Sequence, residues 1–248
     1  MRRAILVLIV AVAVAAVVVA VAPASLAGAA VEHATNGTLT LAGTDGTFWR
    51  GHGTLVAGRA LRVPVAWSVD PWPLLRGELH VRLLPPTAAG RSPRAEISAH
   101  RDAIALREVD LTFAADIVES LAPRAGVRIS GEVRVTAPSL DWTPSSFRGD
   151  ARVDWQDALV AISVDPGIRL GTVSATLAGT GDRLSGRVAN DGGAFEVRGM
   201  LAVSANGAPD ISITMTPRSG DPGQARTLTL TGGPGATGLN VGFQLGPR

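Results

Sequence analysis

The chain is expected to be mostly β: an N-terminal single transmembrane helix, then a curved antiparallel β-sheet meander with one short helix near residues 112–122. Three observations lead there. An uncharged apolar run fills Ala4 to Ala22. Beyond it, short segments opened by glycine alternate apolar and polar residues with the period of a half-buried strand. One segment alone, Thr112 to Leu121, spaces its apolar residues as a helix does.

The first element is Met1-Arg2-Arg3 and the 19 uncharged residues behind it. As a helix they rise about 28 Å, close to the thickness of a hydrocarbon core. Arginines at the leading end predict a cytoplasmic N-terminus and an exported remainder. A cleaved signal peptide is the competing reading, with small residues at Ala22-Pro23-Ala24 and Ala27-Gly28-Ala29 as cleavage points. The run is longer than the usual apolar core of about 7–15 residues. Both readings export the remainder.

The strands follow. Gly37-Thr-Leu-Thr-Leu41, Gly53-Thr-Leu-Val-Ala57 and Gly77-Glu-Leu-His-Val-Arg-Leu83 come first. Gly131-Glu-Val-Arg-Val-Thr136, Gly149-Asp-Ala-Arg-Val-Asp-Trp155 and Gly199-Met-Leu-Ala-Val203 come later. Glycine at a strand start supplies the positive φ of tight turns, and Thr and Val suit the pleated surface. Their uneven spacing argues against a propeller or a regular β-helix. The predicted helix carries Phe113, Ile117, Val118 and Leu121 on one side, with Pro123 and Gly126 ending it.

These signals divide the chain into four parts. Residues 1–24 are the cytoplasmic start and anchor; 25–90 form a first β block. Residues 91–218 form a second block that includes the helix; 219–248 are a glycine-rich tail, expected to be mobile, with a last strand at Leu239–Leu245. The stretch from Pro85-Pro86 to Pro93 reads as a linker. Trp67-Ser-Val-Asp-Pro with Leu75-Arg-Gly-Glu78 resembles Asp141-Trp-Thr-Pro with Phe147-Arg-Gly-Asp150, as a diverged internal duplication would.

Composition narrows the function. The formal charge is only +2, and every basic residue is arginine. With no lysine, tyrosine or cysteine, little titrates above neutrality, so the pI of 10.7 overstates the basicity. Arginines alternate with acids and form no stripe, which argues against nucleic acid as a partner. The absence of cysteine excludes disulfides, thiolate metal sites and a cysteine nucleophile.

No catalytic pattern emerges. The histidines at 33, 52, 80 and 100 lack metal-ligand spacing, and His80 falls on an outward strand position. Gly43-Thr-Asp-Gly46-Thr-Phe-Trp-Arg-Gly51 lacks the ending of a phosphate loop and reads as a turn with an aromatic pair. Asp141, Asp150, Asp154 and Asp157 cluster in sequence, but glycoside hydrolysis needs two carboxyls facing each other across a cleft. The chain therefore reads as non-enzymatic, with no metal and no cofactor.

Several motifs, in order, carry a resemblance. They are Gly46-Thr-Phe-Trp49-Arg-Gly51, Val65-Ala-Trp67-Ser-Val-Asp70-Pro71, and Leu74-Leu-Arg-Gly77-Glu78. Gly131-Glu-Val133, Leu140-Asp-Trp142, Trp155-Gln-Asp-Ala158, Leu170-Gly-Thr172 and Gly193-Ala-Phe-Glu-Val-Arg-Gly199 follow. In this order and spacing the chain resembles the N component of the bacterial type II secretion system, from the anchor to about residue 216. It departs from the family at Phe48, where a smaller aliphatic residue is expected, and in the tail after Ser219. The resemblance implies an accessory secretion subunit in the inner membrane, N-terminus cytoplasmic and C-terminal domain periplasmic, contacting other secretion subunits.

In style the chain is also similar to AsmA-like periplasmic proteins, whose curved sheets enclose an apolar groove. That similarity raises a second reading, a periplasmic lipid-binding or lipid-transfer module. Self-association into a homo-oligomer is compatible with both. Trp67 and Trp72, beside Pro71 and Pro73, are the candidate partner-binding residues, since rigid aromatics anchor interfaces; the alternative places them in the core.

Overall fold

A computed structural model of the chain describes residues 21–37, 39–57, 61–84, 94–116, 127–162, 167–207, 209–218, 226–232 and 240–245. The predicted anchor, the 85–93 linker and residues 117–122 of the predicted helix lie outside or almost outside these residues.

Among the described residues, fourteen strands form one sheet in strict chain order, every neighbouring pair antiparallel. They are β1 (Leu39–Gly46), β2 (Arg50–Ala57), β3 (Leu61–Asp70), β4 (Leu79–Leu84), β5 (Arg94–His100), β6 (Ala103–Ala114) and β7 (Val127–Thr143). Then come β8 (Ser146–Ile162), β9 (Ile168–Gly181), β10 (Arg183–Asp191), β11 (Phe195–Ser204), β12 (Pro209–Pro217), β13 (Arg226–Gly232) and β14 (Asn240–Leu245). Tight connections such as 47–49, 101–102, 144–145 and 192–194 make the next strand in sequence the nearest one to pair with. Among the described residues two helices accompany the sheet, α1 (Ser25–Ala34) and the single turn α2 (Pro71–Leu74).

Alternation gives the sheet two unlike faces. Val135, Val153, Ala175, Val188, Gly199 and Ile213 stand opposite one another in a lateral row across β7 to β12. One residue along, Thr112, Arg134, Asp154 and Ser174 make a row on the other face. The buried core belongs to the apolar face, with Leu170 and Val197 its largest fully enclosed side chains. Leu201 packs against both the β5–β10 cluster and the β8–β11 cluster, so the apolar surface is continuous there.

The sheet is curled. Three strand spacings separate β3 from β6, about 14 Å in a flat sheet, yet Cα atoms of the two come within 8 Å. The short β4 and β5 allow this, because β3 and β6 run past them. Val63 and Phe113, on those overhanging ends, join one apolar cluster with Leu39 of β1.

The structure corrects the start of the predicted helix. Thr112, Phe113 and Ala114 are the end of β6, paired with Arg134, Val133 and Glu132, and Ala115 and Asp116 form a turn. Phe113 sits at an apolar-face position and packs there, so cross-strand pairing overrides the helical spacing. The tail holds two paired strands, β13 and β14, the second close to the predicted Leu239–Leu245.

Sequence reasoning also missed α1. Its alanines and Gly28 carry little amphipathic signal, yet Ala24 is buried and Ala27 packs with Leu41 and Leu55. The Phe48 N–H donates to the Ala22 carbonyl at 2.8 Å, and Pro23 bridges Thr47. Residues expected at the end of the anchor are thus tied to the edge of the sheet. Among the described residues no helix is long and apolar enough to cross a membrane.

Candidate functional site

The two candidate tryptophans lie five residues apart and meet opposite environments. Trp67, in the middle of β3, alternates inward with Val65 and Val69 and is 6% exposed. Its register partner is Gly51 on β2. A Cβ at residue 51 would lie 2.6 Å from Trp67 Cζ2 and 2.8 Å from the Asp45 carbonyl oxygen, so only glycine leaves room for the indole. The Trp67 Nε1–H donates to the Phe48 carbonyl at 3.0 Å, and the Val69 N–H donates to that of Trp49 at 2.7 Å. The 46–51 turn is therefore clamped onto β3. Gly46, at φ +95°, supplies its left-handed bend, and Phe48 packs edge-on against Trp49 with centroids 5.2 Å apart.

Trp72 is 75% exposed. The Asp70 carboxylate caps α2 by accepting the Trp72 N–H at 3.2 Å, and Pro71 sits at the first helical position, where a missing N–H costs nothing. Leu75, 80% exposed, follows on the same knuckle with Leu74. Three apolar side chains are thus held out into solvent by a capped turn. The structure does not bring Trp67 and Trp72 onto one surface: Trp67 supports the strand from which Trp72 projects.

Beneath Trp72, on the polar face of β2 to β5, lies an open cavity of about 520 Å³ that Trp49 also lines. Arg50, Ser68, Arg82 and Glu96 cross its floor in one lateral row. Asp70, His80 and Ser98 form the next row. Arg82 Nε donates to Glu96 Oε1 at 3.1 Å, and His80 Nε2 lies 3.5 Å from Glu78.

Further along the polar face, Arg–Asp pairs stand across and along the strands. Arg134 binds Asp110 through two hydrogen bonds, at 2.8 and 2.6 Å. Arg152 binds Asp154 at 2.7 and 2.8 Å, and the Ser174 hydroxyl donates to Asp154 at 2.7 Å. The Arg152 hydrogen bonds, with Ser174 adding to them, hold the Asp154 carboxyl below the usual aspartate range against a smaller opposing effect of burial. Asp110 holds Arg134 protonated to higher pH than usual. None of these pairs lies in the cavity. Asp141 and Asp150 are on the same face, Asp141 ion-paired with Arg107 at 2.6 Å and Asp150 opposite Ser139 in register, and Asp157 is a bulge residue at φ +49°. Among the described residues no three histidine, aspartate or glutamate side chains gather as a metal site.

The described residues thus form a curled antiparallel β meander, polar on one face and apolar on the other, with a clamped glycine turn between its first two strands. The family model of type II secretion system protein N matches residues 37–241, and the chain belongs to that family. The match runs beyond residue 216, where the sequence resemblance ended, through β13 and to the second residue of β14. No curated protein and no solved structure matches the chain.

Proposed function

We propose that this protein is a non-enzymatic accessory subunit of the type II secretion machinery. The apolar run that begins at Ala4 holds it in the inner membrane with the N-terminus cytoplasmic, and the sheet works in the periplasm. Another secretion subunit docks on the knuckle of Trp72 and Leu75. The observation that carries the docking site is the exposure of these two apolar side chains on a turn fixed by the Asp70 cap. Large apolar groups held rigidly in solvent are the usual anchors of interfaces. Trp67 serves from below, by fixing β3 and the 46–51 turn. The test is affinity purification of the full chain from native membranes, beside the Trp72→Ala and Leu75→Glu variants. Recovery of secretion subunits with the parent chain and their loss with both variants is expected. Equal recovery with the variants would move the contact elsewhere, and no secretion subunit at all would sink the reading.

A second reading is favoured by the apolar face. Phe147, Val153, Trp155, Phe195 and Leu201 on it are half-buried, and among the described residues α1 lies over the β1 end alone. Such a concave face can shelter an acyl chain between membranes. Native mass spectrometry of the full chain in detergent checks it: stoichiometric phospholipid supports lipid handling, and a bare polypeptide mass counts against it. The same spectrum reads out any homo-oligomer.

A further inference from the structure

We infer that the cavity between Trp49 and Trp72, on the polar face, binds a neutral oligosaccharide. It lies on the opposite side of the sheet from the apolar face, and it shares Trp72 with the docking knuckle but not Leu75, so sugar binding in Leu75→Glu tells the two apart.

The floor comes from lateral pairing. Arg50, Ser68, Arg82 and Glu96 are register partners across four strands, so their side chains stand side by side at strand spacing. Serine at the second position keeps the middle of the floor low. The charges offset one another, Arg50 and Arg82 against Asp70 and Glu96, and Arg82 is bonded to Glu96. A phosphate or an acidic peptide would meet those two carboxylates, and a cation would meet the two guanidiniums. A neutral ligand that both donates and accepts hydrogen bonds meets no repulsion.

The indoles supply the remaining requirement. A pyranose ring has an apolar C–H face and a rim of hydroxyls. The face stacks on an indole, and the rim bonds to a mixed floor of hydroxyl, imidazole, guanidinium and carboxylate groups. Trp72 is held in water by its capped turn, although burying an aromatic of that size would gain about 1.5–3 kcal/mol. Trp49 is half-buried against the Val65, Trp67 and Val69 cluster and closes one wall of the cavity, so Trp72 is the ring free to stack. The volume of about 520 Å³ falls within the range of small-molecule sites. An acyl chain would leave the ionised floor unsolvated, which excludes lipid from this side.

The test is titration of the purified full chain with chitotetraose and cellotetraose, followed by calorimetry and tryptophan fluorescence. Saturable binding with a change in indole emission is expected. Trp72→Ala should weaken it about ten-fold or more, the loss of one stacked ring. Arg198→Ala, on β11 at the far side of the sheet, serves as control and should leave it unchanged. Trp72 is exposed, so its removal leaves the fold intact, and a denaturation midpoint equal to that of the parent verifies this. No saturation by either sugar up to about 10 mM overturns the assignment, as does equal affinity in Trp72→Ala. Saturable binding of an acidic peptide without any response to sugar also overturns it and gives the cavity to a protein partner.

Discussion

The Trp67 indole lies across Gly51, its partner on the neighbouring strand, so closely that a single added carbon would touch it at 2.6 Å. The contact explains two motifs at once. Gly51 is small because Trp67 must pass over it, and Trp67 is long enough to reach the Phe48 carbonyl and lock the turn. Gly51→Ala therefore overpacks a site with backbone on the other side and should cost about 1–3 kcal/mol. Urea denaturation followed by tryptophan emission measures it. An unchanged midpoint would show that the indole can move aside.

Trp72 provides the contrast. Trp72→Ala should leave stability within about 0.5 kcal/mol of the parent, because the ring buries little. Trp67→Ala should cost about 3–5 kcal/mol, since it empties a buried site and orphans the Phe48 carbonyl. The pair of denaturation curves separates the tryptophan that holds the fold from the one that stands in solvent.

Asn190 ties three strands together near the end of the apolar face. Its Nδ2 donates to the carbonyls of Leu170 at 2.5 Å and Phe195 at 2.8 Å, while Oδ1 accepts the Val197 N–H at 2.7 Å. Asn190→Leu keeps the bulk but leaves these backbone groups unpaired beside buried Leu170 and Val197. A loss of about 2 kcal/mol or more is expected, read from thermal or urea unfolding. An aspartate, which accepts but cannot donate, should rescue the Val197 bond alone.

Asp154 makes stability depend on acid. Its folded carboxyl is held below the ordinary aspartate value of 3.8, so its bonds to Arg152 and Ser174 contribute fully above about pH 4. The contribution fades as pH falls through the folded value. Asp154→Asn should therefore lower the unfolding midpoint at pH 7, and the gap to the parent should close as the pH falls through the folded value. Parallel curves over that whole range would deny Asp154 the role.

Much of the fold was legible in the sequence. The alternation in Gly131-Glu-Val-Arg-Val-Thr136 placed Val133 and Val135 on one face and Arg134 on the other, where the sheet has them. The last strand was legible near Leu239–Leu245, and the family in the glycine and tryptophan motifs. The end of β6 was not. Phe113 and its neighbours carry a helical spacing, and only the overhang of β6 beyond β5, with β7 alongside, makes them strand. Helix α1 escaped for the opposite reason: an alanine-rich segment has no pattern until a surface such as Leu41 is there to receive it. The cavity was invisible as well, because its floor comes from four strands paired side by side.

By itself, the sequence determined that this is an antiparallel β meander with two unlike faces, and which family it belongs to, because period-two alternation and turn glycines are local. The tertiary structure decided which tryptophan is core and which is surface. Trp67 and Trp72 have similar neighbours in sequence, but one stands opposite a glycine that makes room for an indole. The other follows an aspartate cap that turns the chain out of the sheet.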